Sequence, residues 1–268
     1  MALRIRPPDL EPVKLPSGLD HLSASSISTY LVCPMQWYFR YVKGVKSPPA
    51  IALEFGKSGH DALKMNNMHK LDQGKDLPSK IVCDKFSDQL AVKKKDIEDW
   101  GDENPDKAYD KHQELGRKLL NDYMNEAAEL FTPDEEPEVE VRETIAGVPL
   151  LMFIDLISGN EIWDYKFVST KKNDSDVKNS LQMWVYCIAK NKSKANLLSF
   201  CKRTKNIESA SADITDTDKN WCKSIIRKTA GAISAGVFFP RNPDGQEKWR
   251  CSQRFCGYYH LCRGKGRC

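Results

Sequence analysis

The sequence predicts an α/β protein in which a small mixed sheet is flanked by helices. Three observations predict it. Residues 79–131 carry apolar side chains at helical spacing. Between Pro137 and Lys166 the pattern changes to alternation and short apolar runs, the signature of strands. Beyond that, helical patterns at 180–192 and 215–234 bracket another strand-like run, ANLLSFCKR, so the two periodicities alternate along the chain. The chain has 268 residues, 40% of them apolar and 29% charged, as in a globular domain. With neither internal repeats nor a clear linker, it reads as an extended segment, 1–22, followed by a single domain, 23–268.

The elements follow in order. Residues 1–20 are rich in proline and read as extended. Ser23, Ser25 and Ser26 are N-cap candidates for a helix through Ile27, Tyr30 and Leu31. Pro34 breaks or kinks that helix near Cys33. Trp37, Tyr38, Phe39, Tyr41 and Val42 form an aromatic patch suited to a core, with Arg40 and Lys43 among them. The segment IALEFGKSGHDALKM reads as a helix with Gly56 and Gly59 just before His60. Two helices fill 79–131, the second amphipathic from Lys107 to Phe131 and stopped at Thr132-Pro133. PEVEVRETIAG alternates Val139, Val141 and Thr144 with charges, as a half-exposed strand does.

The candidate site lies next, in GVPLLMFIDLISGNEIWDYK, residues 147–166. It reads as a hairpin whose turn is Ser158-Gly159-Asn160. Asp155 ends the first apolar run, and Asp164, Tyr165 and Lys166 end the second. Asp164 and Lys166 are two apart and so share one face of a strand. Two carboxylates and an amine at the ends of apolar strands are costly to bury unless paired. A divalent cation would compensate the carboxylates, and the lysine could orient or help deprotonate a water. An ordinary surface salt bridge is the competing reading. In the helix SLQMWVYCIAKNK, Gln182 and Tyr186 are four apart and share a face.

This ordered set resembles the PD-(D/E)xK nuclease superfamily, and most of all its RecB-like branch. The elements of the resemblance are a glycine-flanked His60 on a helix, then Asp155, then Asp164-Tyr165-Lys166, and finally Gln182-x-x-x-Tyr186. It implies a restriction-endonuclease-like core and a Mg²⁺- or Mn²⁺-dependent deoxyribonuclease, with exonuclease action expected in recombination, repair or processing of DNA. His60, Asp155, Asp164 and the carbonyl of Tyr165 would hold the metal, and Lys166 would serve catalysis with the two aspartates. Gln182 and Tyr186 would orient the site or the DNA backbone. An extra acidic residue on the early helix has no clear match; Glu54 is one place for it. The alternative is a catalytically silent DNA-binding or assembly subunit on the same fold.

Nine cysteines is a large and odd number for a chain without an evident secretory signal. Clustered cysteines in a reducing compartment more often bind metal or do chemistry than pair. Cys251-x4-Cys256-x5-Cys262 is compact, and Cys33 lies far upstream. Some RecB-like nucleases, of CRISPR-adaptation and AddB type, hold a [4Fe–4S] cluster on one early and three late cysteines. The resemblance therefore implies a C-terminal cysteine-rich iron–sulfur clasp on Cys33, Cys251, Cys256 and Cys262. Zn²⁺ is the alternative metal. The spacing departs from the usual pattern in the first C-terminal gap, which is four residues instead of two, and Cys268 is a substitute ligand. Cys83, Cys187, Cys201 and Cys222 lie in apolar contexts and read as core.

Net charge is +4, unevenly placed. Residues 241–268 hold seven basic against two acidic side chains, leaving a slightly acidic remainder. A basic end suggests a polyanion partner, which the resemblance makes DNA, single-stranded or double-stranded with an end. Recombination or processing proteins are the expected protein partners. Trp249, Arg250, Arg254, Phe255, Tyr258, Tyr259 and His260 interleave around the cysteines. They could stack unpaired bases, though most of these rings are expected to pack around the cluster. No run approaches the roughly 18 apolar residues of a membrane span, and the expected location is the cytoplasm of a bacterium or phage-infected cell.

Overall fold

The computed structural model describes residues 11–134, 137, 140–241 and 248–262. In chain order its helices and strands are α1 (Ala24–Val32), α2 (Pro34–Trp37), α3 (Ile51–Gln73), α4 (Ser79–Lys93), α5 (Pro105–Glu126), β1 (Glu140–Ile145), β2 (Val148–Phe153), β3 (Leu156–Ser158), β4 (Glu161–Val168), α6 (Asp174–Lys178), α7 (Leu181–Ala189), β5 (Lys194–Cys201), β6 (Asn206–Asp213), α8 (Asp216–Ser234) and α9 (Tyr259–Cys262). They group into two compact units. The first comprises the chain up to Ser47, Arg142–Met152 and the chain from Asp216 onward. The second comprises Pro48–Val141 and Phe153–Thr215.

In the first unit, α1 begins with a reciprocal serine cap. The Ser26 amide donates to the Ser23 hydroxyl oxygen at 3.1 Å, and the Ser23 amide donates to that of Ser26 at 2.9 Å. Pro34 starts α2 as its first residue, where a missing N–H costs nothing. The helix then runs on as a π-helical turn, Tyr38–Val42. Trp37 is fully buried and stacks on Phe238 with centroids 5.7 Å apart, and the Tyr30 hydroxyl donates to the Val237 carbonyl at 2.5 Å.

The second unit holds the main sheet, in strand order β3-β4-β5-β6. β4 and β5 are parallel, while β3 and β6 run antiparallel to their neighbours. The crossover from β4 to β5 carries α6 and α7, as a parallel pair requires. Phe55 and Leu63 of α3, Val82, Phe86 and Leu90 of α4, and Leu119, Leu120 and Tyr123 of α5 form one core with Tyr165, Leu198 and Phe200 of the sheet. Each such fully buried ring or branched chain is worth about 1.5–3 kcal/mol in apolar transfer. α5 starts on an Asn104 cap followed by Pro105.

The stretch 147–166 departs from the single hairpin expected of it. β2 pairs with β1 in a separate two-stranded sheet, and the partner of β4 is the short β3, in register Leu156 to Trp163 and Ser158 to Glu161. The first hairpin turns at Ala146 and Gly147, both at positive φ (54° and 74°), the conformation that a tight two-residue hairpin demands. Asp155 therefore stands in the two-residue link between β2 and β3. Val139, the 263–267 part of the basic end and Cys268 lie outside the described residues. None of the described helices is long and apolar enough to cross a membrane.

Candidate active site

Strand pleating decides which β4 side chains reach the site. Trp163, Tyr165 and Phe167 face the helical core, so Asp164 and Lys166 point to the opposite face. Asp164 is 2% exposed and Asp155 6%, both deep for carboxylates.

Asp164 and Lys166 are joined by a third side chain. The Lys166 ammonium lies 2.6 Å from Asp164 Oδ2 and donates to Gln182 Oε1 at 2.9 Å. The amide nitrogen of Gln182 donates to Asp164 Oδ1 at 2.9 Å, so one carboxamide bridges the pair. The contact at Asp164 Oδ2 is an ion pair without good hydrogen-bond direction. The same Gln182 nitrogen donates to the Tyr186 hydroxyl at 2.8 Å, and Tyr186 donates to the Phe153 carbonyl at 2.6 Å, just ahead of Asp155. The four-residue spacing expected to put Gln182 and Tyr186 on one helical face does so on α7.

Asp155 is held from two other elements. Its Oδ2 accepts from the Tyr165 backbone N–H at 2.7 Å, and its Oδ1 lies 3.2 Å from His60 Nδ1. His60 sits in mid-α3, and its ring lies beside those of Tyr165 and Phe167. Burial, then the neighbouring Asp164 charge, raise the Asp155 carboxyl from its ordinary 3.8 to about 6, against the opposing pull of His60 and the Tyr165 amide. Burial works to lower the Lys166 ammonium, but Asp164 and Asp155 outweigh it and hold it above its usual range. The pair thus resembles two like charges confined together, the arrangement a hard cation relieves. The side chains do not form a ready cage. Among the described residues, no group of three or more His, Cys, Asp or Glu is arranged to hold a metal ion. Asp164 is instead turned to Lys166 and Gln182, and Asp155 to His60 and Tyr165.

One supporting residue escaped the sequence, and a second, Gly59, was read only as a flank of His60. Asn67, buried on α3 two turns after His60, donates to the Tyr165 hydroxyl at 3.0 Å and fixes the ring whose backbone holds Asp155. Its signal was the shared helical face, His60 to Asn67. Gly59 is the second: a Cβ there would lie 2.1 Å from the Phe167 ring, so only glycine lets β4 approach α3 this closely. Glu54 is buried on the same helix. Its Oε1 pairs with Lys57 at 2.7 Å, and its Oε2 has no hydrogen-bond partner among the described residues. It lines a cavity of about 340 Å³ with Lys57, Ser58, His60 and Gln89.

The four cysteines expected to bind a cluster all belong to the first unit. Burial first pushes the Cys256 thiol up, against the opposing pull of the Tyr258 amide, and among the described residues these cysteines, like the carboxylates, form no group arranged to hold a metal ion. Cys262 is buried in α9. The rings around them divide. Tyr258 is buried and stacks on Phe39, whereas Trp249 and Phe255 are exposed, against the expectation that most would pack inward.

Residues 21–263 match a family model described as the PD-(D/E)XK nuclease superfamily. Among solved structures, a protein from Eubacterium rectale, provisionally named an exonuclease, matches with a TM-score of 0.54 at 11% identity. That match covers 85% of this chain and 86% of that one, and at such identity it is a likeness of fold alone. A second structure, SSO0001, gives a TM-score of 0.35 at 20% identity over 48% of this chain and 60% of its own, too little to carry any argument. No curated protein matches.

Proposed function

This chain belongs to the PD-(D/E)XK nuclease superfamily, and we propose that it is a divalent-metal-dependent DNA nuclease that acts as an exonuclease in recombination, repair or processing. The observation that carries this reading is the Gln182-bridged pair of Asp164 and Lys166 beside buried Asp155 and His60. His60, Asp155, Asp164 and the Tyr165 carbonyl are the residues that would hold Mg²⁺ or Mn²⁺. Burial first, and then the Asp164 charge, raise Asp155, and a cation at the two carboxylates would relieve both. When bound, such an ion supplies Lewis-acid polarisation of the scissile phosphate and a more acidic water.

The chain's own groups do the rest. Lys166, held as an ammonium, is suited to orient the attacking water and to offset charge developing on the phosphate, more than to take a proton. Gln182 keeps Lys166 and Asp164 in place, and Tyr186 ties that brace to the chain leading into Asp155. These are positioning roles. In the first unit, we assign Cys33, Cys251, Cys256 and Cys262 to a [4Fe–4S] cluster, with Zn²⁺ as the rival metal and Cys268 as a substitute ligand. The one-plus-three spacing of the cysteines supports it.

One observation favours the silent DNA-binding or assembly subunit: among the described residues no ligand cage is formed, with Asp164 turned to Lys166. End-labelled linear DNA with Mn²⁺ separates the readings. The nuclease releases labelled nucleotides, and Lys166→Ala slows it by about 10²-fold or more. Equal release by wild type and Lys166→Ala refutes the catalytic assignment. Cutting of circular DNA refutes a purely exonucleolytic mode.

A further inference from the structure

A surface of the first unit takes no part in the site just described. From Leu22 to Leu53 the chain has no acidic residue, and from Lys248 to Cys262 it has none either. The two acid-free segments are bound together. The Phe39 and Tyr258 rings stack with centroids 5.9 Å apart, the Tyr258 hydroxyl donates to the Val45 carbonyl at 3.2 Å, and Gly257 packs against Ser47. What they present is a set of cations laid over rings. The Arg250 guanidinium lies 4.8 Å from the centroid of Trp249, and Arg254 lies 5.6 Å from that of Phe255. On the other segment, Arg40 lies 5.4 Å from Tyr41 and Lys43 5.4 Å from Tyr38. Trp249 is 49% exposed and Phe255 55%, and the two rings meet edge to face at 4.8 Å.

An exposed tryptophan and phenylalanine held side by side, each with an arginine over it, do not serve a core. Rings in water offer flat faces to another flat apolar group, and the arginines offer charge to an anion at ring-to-backbone distance. Unpaired bases on a phosphate backbone supply both at once. A duplex offers only its phosphates, since its bases are already stacked, and an acidic peptide offers only charge. We propose that this surface binds single-stranded DNA, with bases against Trp249 and Phe255 and phosphates against Arg250, Arg254, Arg40 and Lys43. The choice of DNA as the polymer rests on the nuclease reading, and the preference for an unpaired strand deepens it.

Binding is measured by fluorescence anisotropy with labelled dT20, a 20-base-pair duplex and poly-glutamate, on the full-length Lys166→Ala chain without added divalent metal, with the DNA checked on a gel afterwards to be intact. Trp249→Ala and Phe255→Ala should each weaken dT20 binding about tenfold, as stacking of a base predicts. Duplex binding should change less than twofold. Trp249→Phe should keep most of the affinity, which shows that a ring and not the indole is needed. Arg250→Ala/Arg254→Ala should weaken both DNA forms and flatten the dependence on salt. The proposal is overturned if the double ring variant, with an unchanged melting temperature, binds dT20 as tightly as its parent. It is overturned equally if ring removal weakens dT20, duplex and poly-glutamate by one common factor. Failure of the nuclease reading shows elsewhere, as cleavage that does not depend on Lys166, and leaves these binding outcomes intact.

Discussion

At the scale of single residues, Asp155 is where stability and function pull apart. Its folded acidity, about 6, exceeds the ordinary 3.8, so between those values the native state binds more protons than the unfolded one. Stability from this group is therefore greatest in acid and falls as pH rises through about 4 to 6, a loss of about 3 kcal/mol that persists above that window. Asp155→Asn removes the charge yet keeps an oxygen for the Tyr165 amide and a nitrogen for His60. In EDTA at pH 7.5, urea unfolding should find Asp155→Asn more stable than wild type by about 1–2 kcal/mol while cleavage is lost. A less stable variant would refute the electrostatic reading of this carboxylate. Mn²⁺ should raise the melting temperature of wild type more at pH 7.5 than at pH 5, because at pH 5 a proton competes for Asp155. Gln182 makes a second case. It contacts both Asp164 and Lys166, so Gln182→Ala should lower kcat about tenfold or more with little change in KM, whereas loss of fold would lower the melting temperature as well.

At the scale of elements, the contact of α3 with β4 is the one that sets His60 against Tyr165 and Phe167, the two neighbours of Lys166 in sequence. Gly59 and His60 are neighbours on α3, and Phe167 follows Lys166 on β4. Helix propensity alone predicts that Gly59→Ala stabilises by about 1 kcal/mol. The Phe167 ring, 2.1 Å from the new carbon and stacked on Phe200 at 4.5 Å, opposes this, and overpacking of that kind costs about 1–3 kcal/mol. Gly59→Ala should thus destabilise the protein, and Phe167→Ala should rescue it in a double-mutant cycle. A stabilised single variant would show that the ring yields freely. The same elements show what could be read from sequence. Asp164 and Lys166 were placed on one strand face by a period of two, and Gln182 with Tyr186 by a period of four; both placements depend only on local geometry. The pairing of strands was misread. Val148–Ile154 and Leu156–Ile157 are both apolar, and no periodicity says which of them lies beside β4. The turn that takes β2 away to β1 is Ala146-Gly147, a weak signal because alanine rarely adopts positive φ. β6 was missed outright, since NIESASAD is polar and short of branched residues and its strand form comes from pairing with β5.

At the scale of the whole molecule, the first unit is assembled from three separated stretches of chain, and the cysteines lie on its first and last. Cys33 and Cys251 are roughly 220 residues apart in sequence, and bringing such distant points together has an entropic cost that a cross-link removes from the unfolded state. A closed loop of that size is worth about 5 kcal/mol in the chain-entropy picture for disulfides, which sets the scale for a cluster clasp. Cys256 is the central member of the C-terminal trio, so it is the one to remove. Protein purified without oxygen should be brown and carry about four irons. Cys256→Ser should lose iron and melt well below wild type, while cleavage per folded molecule stays within a few fold, because the carboxylates and Lys166 belong to the other unit. Colourless wild type holding only zinc would replace the cluster with a Zn²⁺ clasp. Retention of full solubility and an unchanged melting temperature in Cys256→Ser would remove the clasp altogether, leaving Phe39, Tyr258 and the α1–α8 contacts as what joins the ends of the chain.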